Sequence, residues 1–170
     1  MLISTLALVG CSAPARQESG RSAPELVLQG VGFKFYRGSQ LTTVGMARNA
    51  SFRTDTGAAS AEKTRTVFLR SGAEEAVLLA GRMEGDVHTR QADAEGGVRI
   101  LDAEGTVAST PRAHLDGASR RASGRDPVEV TGKSFRSRAA SGFSIDLSGS
   151  RKMVFEGPIA SRLEEQRGTP

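Results

Sequence analysis

The chain has 170 residues, of which 23 are basic and 19 acidic, giving a formal net charge of +4. This length fits one domain, and the 20 glycines spread along it argue against a helical bundle or a coiled coil. No apolar run approaches the roughly 20 residues of a membrane-spanning helix, which excludes a polytopic membrane protein.

The first residues are similar to a bacterial lipoprotein signal. Residues 1–10 form an uncharged, mostly apolar run that is too short to span a bilayer. The run ends in LVGC, which resembles a lipobox, so Cys11 is the predicted lipid anchor; the alternative is a cysteine that is simply buried. Residues 1–11 are thus predicted to be signal and anchor. Residues 12–24 carry no large apolar side chain and are predicted to be a flexible tether.

From residue 25 onward, apolar and polar residues alternate with the period of a β-strand. Glycine, serine and aspartate separate these segments, which is typical of an all-β domain. The alternating apolar positions include Val31, Phe33, Phe35, Ala50, Phe52, Val67, Leu69, Val98, Ile100, Val128, Val130, Phe143, Ile145, Met153 and Phe155. Only residues 58–64 and 161–167 are compatible with short turns of helix. We therefore expect two sheets that share an interior, in a sandwich or an open roll.

A loose repeat supports the all-β prediction. Asp116 and Asp146 are 30 residues apart, and each is followed by glycines and then by a proline and an aliphatic residue. A weaker copy contains Gly85, Asp86 and Val87. Repeats of this kind are typical of β-rolls in which each unit contacts mainly its neighbours.

Positive charge is concentrated in one stretch of the chain. Residues 110–138 contain seven basic and three acidic residues, whereas the two signs balance elsewhere. Such a patch suits acidic lipid or phosphate, and the alternative is a solvated face. Phe135 is its one aromatic residue, which argues against nucleic acid as a partner.

The residues predict neither catalysis nor a metal site. The two histidines, His88 and His114, lack a metal-binding spacing, and one cysteine provides no ligand cluster. No Gly-x-Ser-x-Gly motif is present, and the glycines at 30 and 32 lack the third glycine of a dinucleotide site. We therefore expect no enzyme and no cofactor; an envelope enzyme is the weakest of the alternatives.

Five segments of the chain share one pattern of strand and polar turn: VGFKFYR at 31–37, ASFRTDTG at 50–57, EGDV at 84–87, DPVEVTG at 126–132 and VFEGPI at 154–159. Through these segments, residues 26–159 resemble the lipopolysaccharide-export family that contains LptC and LptA, whose shared unit is the OstA-like domain. A single domain behind an anchor favours the LptC-like form. The resemblance implies an open, twisted β-jelly roll of many short antiparallel strands over residues 25–165, with an interior that holds acyl chains.

The resemblance also implies a role in the cell envelope. An LptC-like protein receives lipopolysaccharide from an inner-membrane ABC transporter and passes it to an LptA-like periplasmic protein. The chain would be anchored at the periplasmic face of a membrane; the domain favours the inner membrane, whereas Ser12 favours the outer one. The alternative is a structural or adaptor envelope lipoprotein with the same roll and no lipid cargo.

Two groups of residues follow from this implied role. The edge strands that would pair with neighbouring proteins contain Val31, Phe33 and Phe35 at one end and Val154, Phe155 and Gly157 at the other. The candidate lipid-lining residues are Phe33, Phe35, Phe52, Leu69, Met83, Val128, Val130, Phe143, Ile145 and Phe155. The alternative for each lining residue is that it simply fills a core.

Overall fold

The computed structural model describes residues 24–149 and 152–163, which form ten antiparallel strands and no helix. The predicted all-β fold is confirmed. The strands are β1 (Glu25–Arg37), β2 (Gln40–Arg53), β3 (Ala58–Arg70), β4 (Ala73–Asp86), β5 (Gln91–Asp102), β6 (Val107–Asp116), β7 (Arg121–Gly124), β8 (Val128–Thr131), β9 (Phe135–Asp146) and β10 (Met153–Leu163). No helix suited to spanning a bilayer occurs in the described residues. The predicted signal, the anchor Cys11 and Ser12 lie outside them.

Two details of the sequence interpretation were wrong. Residues 58–64 are not helical; they form the first part of β3. Pairing with β2 on one side and β4 on the other overrides the helical preference of alanine and glutamate. Residues 161–163 belong to β10, and 164–167 lie outside the described residues. Most strands are also longer than expected, since eight of them have 10 to 14 residues.

The strands form one sheet rather than the two that were predicted. Each strand pairs with the next along the chain, except that β7 and β8 share the place between β6 and β9. Within the described residues β1 pairs only with β2, and β10 only with β9, so these two strands are the edges of the sheet. The interior lies inside this single sheet, which folds over on itself.

A crease crosses the sheet in mid-strand. In β1 the inward residues Leu28 and Val31 are three positions apart instead of two, so two successive residues between them face outward. The same interval separates Ala47 from Ala50, Ala61 from Thr64, Ala80 from Met83 and Thr110 from Ala113. In β5 the crease contains Gly96 and Gly97, whose φ angles of 78° and 85° suit glycine. In these strands the interruption keeps residues of both halves on the inner face.

A row of polar side chains follows the crease on its outer side, and we call it the polar ladder. Strand register places its members next to one another in the order Gln29, Asn49, Glu62, Arg82, Glu95 and Arg112. The Asn49 amide donates to Glu62 at 3.0 Å, and Arg112 Nε donates to Asp126 at 2.9 Å. Because the charges alternate in sign from Glu62 onward, neighbouring members attract each other.

The 30-residue spacing of the repeat covers β7, β8 and β9 between Asp116 and Asp146, and β5 and β6 between Asp86 and Asp116. Asp86, Asp116 and Asp146 are the last residues of β4, β6 and β9, which run in the same direction, so the three aspartates lie at the same end of the strands. Each Oδ1 accepts a hydrogen bond from the N–H two positions later, which belongs to His88, Ala118 and Ser148 at 2.7, 2.9 and 2.7 Å. These Asp turns fix the point at which each strand reverses.

The core lies mainly among β4–β9. Its largest fully buried side chains are Leu78, Leu147, Val98, Val128 and Val130. The cluster of buried apolar residues contains no member of β1 or β2. These two strands therefore lie beside the core, and the core side chains do not fill the space in front of them.

Candidate functional site

An apolar cavity of about 290 Å³ lies in front of β1–β3, inside the folded sheet. Its large apolar wall residues include Leu28, Val31, Phe33, Phe35, Phe52 and Met83. Ala92 of β5 and Leu115 of β6 also line it. This volume lies near the lower limit of ~300–1,000 Å³ for small-molecule pockets.

The cavity stays open because small residues lie near its aromatic side chains. Ala50 of β2 and Ala59 and Ala61 of β3 contribute only methyl groups to the wall. Gly45 faces Phe33 across the β1–β2 pair, and a methyl group on Gly45 would overlap the Phe33 ring. The low content of large side chains thus leaves interior space unfilled at this end of the roll.

Three buried threonines place hydroxyl groups along the wall. Thr42 Oγ1 donates to the Phe35 carbonyl at 3.1 Å, and Thr64 Oγ1 donates to the Ala80 carbonyl at 3.4 Å. Thr66 is also buried, but its Oγ1 has no hydrogen-bond partner within the described structure. A buried hydroxyl without a partner carries an uncompensated desolvation cost.

Arginine side chains hold the folded sheet closed beside the cavity. Arg37, at the end of β1, donates from Nη2 to the Ala118 carbonyl in the β6–β7 turn at 2.9 Å. Arg120, in that same turn, donates from Nη2 to the carbonyls of Leu69 at 2.7 Å and Thr42 at 3.3 Å. We call this line of contacts between β1–β3 and the β6–β7 turn the seam.

Arg70 lies at the end of β3 and extends the seam to the connection after β9. It hydrogen-bonds to the Ser148 carbonyl, and its Nε lies 3.2 Å from Glu75 Oε1. Gly149 has a φ of 78°, and a methyl group there would overlap the Arg70 and Glu75 side chains. A glycine at 149 therefore allows the connection to approach this ion pair.

The predicted lipid-lining residues fall into three groups. Phe33, Phe35, Phe52 and Met83 line the cavity. Val128, Val130, Phe143 and Ile145 are only 1–3% exposed and belong to the core. Phe155 is half-buried and packs against that core, while Leu69 is half-buried and its carbonyl accepts from Arg120. The sequence interpretation missed two lining residues, Leu28 and Phe68; at Leu28 the crease shifts the alternation.

The predicted partner-edge residues all lie on the two edge strands. Val31, Phe33 and Phe35 belong to β1, and Val154, Phe155 and Gly157 belong to β10. In the part of the chain that the structure describes, every exposed large apolar side chain except Met46 lies on β1 or β10. These side chains are Leu26, Val27, Leu28, Tyr36, Val154, Ile159 and Leu163.

Two members of the basic stretch at 110–138 are paired with acidic residues of the same stretch. Arg112 pairs with Asp126 at 2.9 Å, and Arg136 Nε donates to Glu129 at 2.8 Å. Arg120 is the member of this stretch that lies at the seam, where Arg37 and Arg70 join it from β1 and β3. Sequence analysis missed these two partners because they are 83 and 50 residues away from Arg120 along the chain.

The two histidines are not brought together. His114 Nδ1 lies 2.8 Å from Asp93 Oδ1, whereas the His88 ring lies against Gly57. Over residues 24–149 and 152–163, no group of three or more His, Cys, Asp or Glu side chains is arranged to hold a metal ion.

Comparison with known proteins assigns no family. A scan against protein-family models and a search of the curated proteins both return no match for this chain. The features that bear on function are therefore the cavity, the seam and the edge strands.

Proposed function

We propose that this chain is a membrane-anchored component of a lipopolysaccharide transport bridge, as its resemblance to LptC-like proteins implies. It would receive lipopolysaccharide from an inner-membrane ABC transporter and pass it to an LptA-like periplasmic protein. The observation that carries the proposal is the apolar cavity, whose wall includes Phe33, Phe35 and Phe52. The predicted lipid on Cys11 would hold the roll at the membrane.

The cavity has the chemistry that an acyl chain requires. Each CH₂ group removed from water contributes about 0.8 kcal/mol and needs no directional partner. The Phe33 and Phe35 ring centroids are 5.7 Å apart, so the two rings form a continuous apolar surface along β1. A chain bound there would lie against an edge strand rather than deep in the core.

The edge strands supply a physical route for transfer. An unpaired edge strand is a template for pairing with a strand of another protein. β1 is both such an edge and a wall of the cavity. A partner strand that pairs with β1 would extend the sheet beside the bound chain. The exposed apolar side chains on β1 and β10 favour contact with partners at both edges.

Site-specific photo-crosslinking in cells tests this proposal. A photoreactive amino acid at Phe52, which lines the cavity, is expected to give adducts with lipopolysaccharide. The control is Met46, which lies on the adjacent part of β2 with 61% of its surface exposed. Equal labelling at 52 and 46, or none at either, would contradict lipid transport through the cavity.

One observation favours the second candidate, an adaptor lipoprotein without lipid cargo. Val128, Val130, Phe143 and Ile145 belong to the buried core, so these four predicted lining residues do not border the large apolar cavity. An adaptor would fractionate with the outer membrane and would not co-purify with the transporter. Co-purification with an ABC transporter would exclude this candidate.

A further inference from the structure

Two guanidinium groups at the seam form no ion pair with a carboxylate of residues 24–149 and 152–163. They belong to Arg37 and Arg120, which hydrogen-bond to backbone carbonyls. A guanidinium has five N–H donors, and these contacts use one Nη2 group on each arginine. Both side chains therefore retain donors for an additional acceptor.

The seam also carries an excess of positive charge. Burial lowers the pKa of Arg120, and the positive charges of Arg37 and Arg70 lower it further. Glu75 and Asp146 oppose this effect on Arg120. The groups that act on the charge of Arg120 are thus two guanidinium groups and two carboxylates. One of these, Glu75, is already paired with Arg70.

The seam adjoins the apolar cavity through shared residues. Thr42 lines the cavity, and its carbonyl accepts a hydrogen bond from Arg120. Phe35 lines the cavity two residues before Arg37, and Gly117 lines it three residues before Arg120. An amphiphile whose chain entered the cavity would have its polar end within reach of these arginines.

We propose that Arg37 and Arg120 form a binding site for a phosphoryl group at the seam. The inference rests on the proposed lipid-binding function and adds the chemistry of the headgroup to it. Charge-assisted bonds from guanidinium to phosphate are stronger than bonds to a neutral carbonyl, and the planar fork matches phosphate oxygens. A phosphorylated headgroup would occupy the site while its chain lies against Phe35. Free phosphate shares this chemistry and is the other possible source.

Calorimetric titration of the full chain tests the site with three probes. Dodecyl phosphate offers a chain and a phosphoryl group, dodecyl maltoside offers a similar chain without charge, and inorganic phosphate offers the group alone. The variant is Arg37→Gln, and the matched control is Arg99→Gln, which removes the same charge from an exposed position on β5.

Arg37→Gln is expected to weaken dodecyl phosphate binding about tenfold, since a hydrogen bond to a charged group is lost. Binding of dodecyl maltoside should be unchanged in both variants. Inorganic phosphate that binds as tightly as dodecyl phosphate, and depends equally on Arg37, would assign the site to free phosphate.

Two results would overturn the phosphoryl site. Equal weakening of both dodecyl compounds by Arg37→Gln would mean that Arg37 only holds the seam closed. Equal weakening of dodecyl phosphate binding by Arg37→Gln and Arg99→Gln would mean that the net charge of the protein, and not the position of Arg37, controls binding. In either case, binding of dodecyl maltoside to the unmodified chain would leave the proposed lipid-binding function standing. If neither dodecyl compound binds but inorganic phosphate still binds through Arg37, the proposed lipid-binding function is rejected and the phosphoryl site at the seam is retained.

Discussion

The ring of Phe33 occupies the space that a side chain at Gly45 would fill. The two residues face each other in the β1–β2 register, and a Cβ atom on Gly45 would overlap the ring. Phe33 also lines the cavity. The aromatic wall of the cavity therefore depends on the absence of a side chain on the neighbouring strand.

Gly45→Ala is expected to displace the Phe33 ring and thereby to weaken binding of dodecyl maltoside. Crowding a packed position typically costs about 1–3 kcal/mol of unfolding free energy. The control is Gly32→Ala, whose added methyl group would meet only the Gly45 carbonyl at 4.0 Å. Calorimetry and urea unfolding of both variants check this. Unchanged binding by Gly45→Ala would show that the Phe33 ring does not shape the occupied part of the cavity.

A pair of threonines permits a test of the unpartnered hydroxyl. Thr66→Val removes an Oγ1 atom that has no partner in the described structure, whereas Thr64→Val removes one that donates to the Ala80 carbonyl. Thr64→Val should lower the unfolding free energy by about 1 kcal/mol, and Thr66→Val should leave it unchanged or raise it. Urea unfolding of both variants is the measurement. A loss in Thr66→Val as large as that in Thr64→Val would indicate a hydrogen-bond partner, such as an ordered water.

Alternation along the sequence predicted the strands well but not their arrangement. Leu28 and Val31 both face inward because the crease interrupts the period of two between them. A pattern that assumes unbroken alternation places Leu28 and Val31 on opposite faces. Glycines with positive φ, such as Gly30 and Gly97, mark the crease in some strands. In β2, however, no glycine lies between the inward residues Ala47 and Ala50, so glycines do not mark the crease in every strand.

The seam was beyond sequence analysis for a different reason. Clustering of charge along the chain drew attention to residues 110–138, yet Arg112 in that stretch is paired with Asp126. Arg37 and Arg70 reach the seam only because the sheet folds over. Local charge counts cannot register contacts of this kind, which depend on the fold. The Asp turns were better signalled, since Asp116 and Asp146 recur at the repeat spacing.

The polar ladder predicts a charge effect at Glu95. This side chain lies between Arg82 and Arg112 in the strand register. Glu95→Lys would place three positive charges in succession and is expected to lower the urea midpoint, because like charges on opposed strand positions repel. Glu95→Gln should have a smaller effect, since it removes attraction without adding repulsion.

Salt separates this charge effect from a packing effect. Because the ladder is exposed, added salt should reduce the difference between Glu95→Lys and the unmodified chain. The midpoints of both proteins are therefore measured at low and high sodium chloride. A difference that persists unchanged at high salt would mean that the ladder does not act through charge.

The turn at Asp116 predicts a specific dependence of stability on pH. Hydrogen bonds from the Ser119 side chain and backbone, and from the Ala118 N–H, hold the pKa of Asp116 below its ordinary value of 3.8. A carboxyl group whose pKa is lowered by folding stabilises the native state above its unfolded pKa. This stabilisation is lost as the pH falls below 3.8 through the lowered folded value.

Asp116→Ala should therefore be less stable than the unmodified chain at neutral pH, and the difference should narrow in buffers below pH 3.8. Asp86 and Asp126 also have lowered pKa values, so only the difference between the two proteins isolates Asp116. Ser119→Ala is the graded control, because it removes the side-chain donor and leaves the backbone N–H groups of Ala118 and Ser119. At neutral pH, Ser119→Ala should lower the free energy of unfolding by less than Asp116→Ala does. A constant difference between Asp116→Ala and the unmodified chain down to acid pH would show that the ionised carboxylate does not stabilise this turn.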